Sequence, residues 1–335
     1  PLGKTSYVLR TYDVLPNMNL WQGTMAQRLT HFVERDKLTK LTKLGESLAQ
    51  RLERTELPLI TPYALFREIR ELYRSGKKLY LRRPMPERAD FARIRDLLVA
   101  ADILAPDRDY GSRAYRILAN SDRPADEVCC VVDRFCYISH LSAMERYGLT
   151  DRRPTALHLT APHERIIARL TNQAMVDDYG QEALENLDPN QLVPLHGVSH
   201  PETVRRRKVD VFRTGHLGEN LQVRGTFARI ATIGHTFVDM LEHPGECGGI
   251  NHVLDVWREH AGLYLDDIID AVDGHPRSII KVRAGYFLDE FLGIRDTRID
   301  GWRCYVQRGG SRVLDPSRPF APTYSETWML SLNAP

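Results

Sequence analysis

No stretch of this sequence comes near the roughly 18 consecutive apolar residues of a membrane span, and no secretory apolar core opens it. A cytoplasmic protein with no membrane partner is therefore expected. The five cysteines, Cys129, Cys130, Cys136, Cys247 and Cys304, are odd in number and two of them are adjacent. No Cys-x-x-Cys pair repeats, so neither a disulfide framework nor a zinc ribbon is indicated. The chain also lacks a Gly-x-Ser-x-Gly elbow, a phosphate-cradling glycine loop and a dinucleotide fingerprint. The common hydrolase, P-loop and nicotinamide chemistries are without their usual carriers. A charge excess is missing too, because the net charge is only +2.

What the chain does have is an ordinary globular balance, 42% hydrophobic and 27% charged, which argues against wholesale disorder. Its 335 residues suit two domains on the usual length expectation. Charge is informative through its distribution. Residues 61–119 carry 13 basic against 8 acidic side chains, whereas residues 231–300 carry 6 against 13. A basic module joined to an acidic helical one cancels in the total, and a DNA-binding unit fused to something else would show this asymmetry.

Hydrophobic periodicity gives the organisation. Leu41, Leu44, Leu48 and Leu52 recur at helical spacing over residues 38–54. Thr61-Pro62 reads as an N-cap followed by proline at the first helical position, opening a helix that buries Leu65, Ile69 and Leu72 and stops at Gly76. Lys78 to Arg82 reads as a short strand or connector. A third helix begins near Pro86-Glu87 and runs to about Ala101, with Phe91, Ile94 and Leu98 on one face. Ile103-Leu104 and Tyr115 to Leu118 flank a turn-rich segment, as a β-ribbon would. Three helices and a ribbon are the element order of a winged helix-turn-helix. The polar stretch 120–126 reads as a linker between independent cores. Beyond it, 128–132, 156–160 and 209–213 read as strands, Ser139 caps a short helix closed by Gly148, and 232–292 is mainly helical. Short strands are expected near 302–306 and 328–332. The expected fold is thus α+β: an N-terminal arm (1–36), a winged helix-turn-helix (37–125) and a mixed α/β domain (126–335).

The third helix is the candidate for groove recognition. Arg88, Arg93 and Arg95, spaced by small alanines, could reach phosphates or guanine edges. Lys77, Lys78, Arg82 and Arg83 lie just upstream to grip the backbone, and Tyr110, Arg113 and Arg116 suit a wing. A solvated charged face is the plainer reading of the same arginines. Arg205, Arg206, Arg207 and Lys208 form a second basic run, for which a solvated loop is the default. His196 and His200 have the spacing of metal ligands on a helix, but Pro194, Gly197 and Pro201 make a helix unexpected there. Both read as loop residues, and no metal, cofactor or catalytic residue is expected. Asp266, Asp267, Asp270 and Asp273 read as a solvated helix edge.

The run from Tyr137 to Leu149, followed by Ala156 to Thr160, resembles the start of the C-terminal domain of AbiE-type antitoxins. Val223 to Leu241, Pro244 to Leu254, Arg283 to Gly293, Leu314 to Pro316 and Trp328 to Asn333 follow in that family's order, with Gly234-His235 standing where the family usually has Glu-Arg. The resemblance covers residues 127–333. It implies a repressor that binds inverted repeats in its own operator DNA and belongs to a phage-defence toxin–antitoxin system. The implied partner is a nucleotidyltransferase toxin, opposed through the C-terminal domain without direct contact in the usual description. The alternative is a metal-dependent nuclease or nucleotide-processing enzyme carrying a DNA-binding domain.

Overall fold

The computed structural model describes residues 41–307 and 312–334, and over these the chain is a mixed α+β protein. The segment 1–36 lies outside the described residues. Helix α1 (Lys43–Arg54) starts at Thr42, whose hydroxyl accepts from the Gly45 amide at 3.1 Å, and it buries Leu44, Leu48 and Leu52. Strand β1 (Leu59–Ile60) precedes α2 (Pro62–Arg74), which Thr61 caps and Pro62 opens, as the sequence suggested. Gly76 then adopts φ +68°, a turn conformation that L side chains resist. Residues 78–82 form a connector with no regular structure.

Helix α3 (Arg88–Ala100) begins with reciprocal bonds between Glu87 and Asp90 and turns Phe91, Ile94 and Leu98 inward. Strands β2 (Leu104–Asp107) and β3 (Gly111–Ile117) form the ribbon, and β1 adds to it in the antiparallel order β1-β3-β2. Two residues gave β1 too little length to show alternation. The three helices close over the sheet through Leu48, Leu65, Phe66, Phe91, Leu98 and Tyr115, with Phe66 and Phe91 edge to face at 6.1 Å.

Two strand expectations are corrected. Residues 128–132 lie in helix α4 (Ala125–Val132), not a strand. A short apolar run buried on most faces carries no period, and here Pro124 precedes the helix while Asp126 and Glu127 sit in its first turn. Residues 302–305 form a 3-10 turn, drawn in by the bond from Trp302 Nε1 to Asp273 at 2.6 Å.

A six-stranded mixed sheet follows, built from β4 (Tyr137–Ile138), β5 (Leu157–Pro162), β6 (Thr203–Val204), β7 (Arg207–Thr214), β8 (Asn220–Gln222) and β9 (Arg229–Ala231). Its order is β6-β7-β5-β4-β9-β8, with β5/β7 and β4/β9 parallel. Helix α5 (His140–Arg146) follows β4, and α6 (Glu164–Tyr179) and the short α7 (Gln181–Glu185) lie within the β5-to-β7 crossover. The last part packs α8 (Ile233–Glu242), α9 (Ile250–His260), α10 (Leu265–Gly274), α11 (Ser278–Gly285) and α12 (Thr297–Gly301) around Phe237, Trp257, Phe287 and Trp328. Strands β10 (Tyr324–Ser325) and β11 (Leu330–Ser331) close the chain as a small hairpin.

Two close approaches fix this helical layer. A Cβ on Gly285 would sit 2.2 Å from the Trp328 ring. One on Gly234 would sit 2.0 Å from the Asp267 carbonyl oxygen, so α8 and α10 cross where no side chain fits. Any side chain at position 234 would require α8 and α10 to move apart.

Residues 44–117 have an apolar core of their own, and a second cluster crosses the stretch 120–126. That second cluster joins Leu59, Tyr110 and Ala114 to Val128, Cys129, Ile138 and Leu159. The ribbon is packed into the same interior as the six-stranded sheet.

Candidate nucleic-acid interface and a buried histidine cluster

The candidate contact residues between positions 77 and 116 fall into three groups. Lys77, Lys78 and Arg82 are exposed on the connector before α3, together with Tyr80, which is 73% exposed and has Lys78 Nζ 5.6 Å from its ring centre. The α3 arginines are exposed or half-buried, and each is already engaged. Arg93 reaches Asp90 at 2.8 Å and Arg95 reaches Asp96 at 2.7 Å, while Arg83, on the connector before the helix, pairs with Glu87. Asp96 raises the Arg95 pKa by its hydrogen bond. Exposed pairs of this kind contribute about 0–1 kcal/mol, so a phosphate can replace the aspartate at little cost. Arg88 donates from Nε to the Leu192 carbonyl at 2.7 Å, which sets the 187–200 loop against the start of α3.

The third group is the ribbon, where expectation and structure part. Tyr110 is 2% exposed, and its hydroxyl lies 2.8 Å from His200 Nδ1 and 3.4 Å from Cys129 Sγ. Burial, with Cys129 beside it, pushes its pKa well up. Tyr110 holds the ribbon to the rest of the protein and is not free to contact DNA. Arg113 donates to the Ser199 carbonyl at 2.8 Å, and Arg116 is half-buried in β3.

The second basic run is also divided. Arg205, whose side chain is 5% exposed, pairs with Asp107 at 2.7 Å, with Asp122 at 2.9 Å and with Asp109. Burial alone would lower its pKa, yet these carboxylates outweigh that and raise it. It is an internal clamp between the ribbon and the β6–β7 turn, so it is withdrawn as a DNA contact. Arg206 and Lys208 remain exposed, and Arg207 is half-buried.

The C-terminal end of α6 covers α2. Asp178 accepts from the Tyr63 hydroxyl at 2.7 Å and pairs with Arg67 at 3.2 Å, while Arg70 lies 4.7 Å over the Tyr179 ring. Nothing in local sequence announces contacts across more than a hundred positions.

His196 and His200 lie in a loop, as expected, but they differ in surroundings. His196 is exposed, whereas the His200 side chain is fully buried with Nε2 3.3 Å from Asp133. His200 thus anchors the loop through Tyr110 and Asp133.

A buried histidine group centred on His140 lies between the six-stranded sheet and α8. His140 follows β4 in a left-handed conformation, φ +49°, with Nδ1 2.8 Å from the Ser139 hydroxyl. Its backbone amide donates to Asp239 at 3.3 Å. His235 Nε2 stands 3.7 Å from the same carboxylate, against Gly218, where a Cβ would collide with the ring. His243 and Phe212 pack around His140, at 5.8 and 5.1 Å between ring centres. Burial lowers the His140 pKa to about 4 and raises that of Asp239 to about 6, against the partial relief that His235 and the His140 amide give the carboxylate. For Glu242 burial pulls upward, but His275 at 3.4 Å and Arg277 at 2.9 Å outweigh it and hold the carboxyl at about 2.

All five cysteines are free, and Cys304 alone is exposed. Among the described residues no helix is long and apolar enough to cross a membrane. No family model matches the sequence, and no curated protein matches it.

Proposed function

We propose that this chain is a DNA-binding antitoxin of the AbiE kind, with residues 41–118 acting as a winged helix-turn-helix on operator DNA. The reading extends to autorepression through inverted repeats and to neutralisation of a nucleotidyltransferase toxin by the region after residue 125. The observation that carries it is the order helix, strand, helix, helix, two strands, with sheet order β1-β3-β2 and a basic connector leading into α3. In such a unit the helix before the ribbon enters the major groove. Here that helix is α3, with Arg88, Arg93 and Arg95, while Lys77, Lys78 and Arg82 supply the phosphate contacts. Arg113 and Arg116 are the remaining wing candidates. Asp90 and Asp96 neutralise two of the arginines until phosphate takes their place.

The test uses the full chain, because the ribbon shares its interior with the following sheet. The double variant Arg88→Ala, Arg95→Ala should lose sequence-specific binding to the upstream region in mobility shifts, each lost base contact costing about 1–3 kcal/mol. The same variant should still rescue cells that express the cognate toxin. Unchanged operator affinity removes the recognition helix from the account, and loss of rescue at equal protein level removes the division of labour.

A further inference from the structure

We infer that the chain carries a divalent transition-metal site on His158, Asp210 and Glu246, a proposal independent of whether α3 binds DNA. His158 on β5 and Asp210 on β7 are direct partners in the parallel ladder, so both side chains leave the same face of the sheet. Glu246 comes from the 3-10 turn Pro244–Cys247 that follows α8. One donor atom from each of the three lies within 4.8 Å of the others. Ser142 Oγ engages His158 Nδ1 at 3.2 Å, which fixes the ring and leaves Nε2 as its donor.

Two features point to a cation. Asp210 and Glu246 form no ion pair among the described residues, unlike nearby Glu242, which has both His275 and Arg277. Two carboxylates converging beside an imidazole repel each other unless a positive charge lies between them. The second feature is His140. It is 1% exposed, Nδ1 is taken by Ser139, and Nε2 has no hydrogen-bond partner among the described residues. The charged and titratable groups that act on its ring are His158, Glu246, Glu242 and Asp210, which include all three members of the trio. A buried imidazole nitrogen left bare is costly unless it has something to bind. A donor set of one imidazole and two carboxylates suits zinc, manganese or iron better than magnesium, which prefers oxygen alone.

A second trio, Asp133, Cys136 and His200, has similar spacing but is already satisfied. Both His200 nitrogens are bonded, to Tyr110 and Asp133, and the Cys136 thiol donates to the Cys129 carbonyl at 3.4 Å. A metal there would have to break the bonds that hold the ribbon.

The experiment is metal analysis and zinc titration against a chromophoric chelator, on full-length protein purified without a polyhistidine tag. One zinc per chain is expected, with millimolar magnesium unable to displace it. Asp210→Asn and Glu246→Gln, both at exposed positions, should each weaken zinc about tenfold or more with unchanged circular dichroism, and the double variant should bind none. Cys136→Ser should keep its zinc. Absence of stoichiometric zinc, zinc retained by the double variant, or zinc lost only in Cys136→Ser would each overturn the proposal.

Discussion

The arginines of α3 and Arg205 are the same residue type in opposite situations. On α3, Arg93 and Arg95 face solvent or its margin, each held by one aspartate on its own helix, and water screens the pair. Arg205 is sealed among Asp107, Asp109 and Asp122, three carboxylates from the ribbon and the turn after it. The first arrangement releases its cation to a better anion at little cost. The second spends its cation on architecture. A run of basic residues in a sequence therefore says little about nucleic acid until the burial of its counter-charges is known.

The largest effect should come from breaking the buried side of that contrast. Arg205→Ala leaves the fully buried Asp107 without a cation among the described residues, while Asp109 and Asp122 keep Arg108, and should cost about 3–5 kcal/mol in urea unfolding. A loss below about 1 kcal/mol would mean that the clamp is as solvated as the α3 pairs.

Asp239 tests the buried charges near His140. Its pKa of about 6 exceeds the ordinary carboxylate value of about 4. A carboxyl that holds its proton more tightly when folded destabilises the fold above pH 6, and that cost fades as the pH falls toward 4. Asp239→Asn, which can still accept from the His140 amide, should therefore be about 2–3 kcal/mol more stable at pH 7 and show no gain at pH 4. Urea midpoints at the two pH values measure it, and equal shifts at both would contradict the assignment.

His200→Ala should cost about 1–3 kcal/mol by stripping Asp133 and Tyr110 of a shared partner, while His196→Ala should stay within about 0.5 kcal/mol. Thermal unfolding of the two variants side by side decides it. The smallest stability effect belongs to the exposed side. Arg93→Ala should change folding by no more than about 0.5 kcal/mol, and a larger loss would make the α3 pairs structural.

Much of the region from residue 41 to 118 was legible because its signals are local. Thr61-Pro62, Gly76 and the Phe91, Ile94, Leu98 stripe each act within one or two turns, and each element formed where they said. The failures are of another kind. Residues 128–132 are buried on most faces in either conformation, so their apolar run held no period to read. The fate of Arg205 depends on aspartates 83 to 98 positions away, and His140 meets Asp239 and His243 only after the sheet and α8 have formed. Side-chain identity was visible in all these cases, but solvent access was not.

The proposed DNA contacts are the exposed cations of the connector and α3, and not the buried ones. The direct measurement is affinity for the chain's own upstream duplex, and for an unrelated duplex, across a series of salt concentrations. Lys77→Ala with Lys78→Ala should weaken both duplexes alike and reduce the slope of log affinity against log salt by about 2. Arg88→Ala with Arg95→Ala should bring the upstream duplex down to the affinity of the unrelated one. If the wild-type chain binds neither duplex, or if both variants keep its affinity and slope, the claim is contradicted.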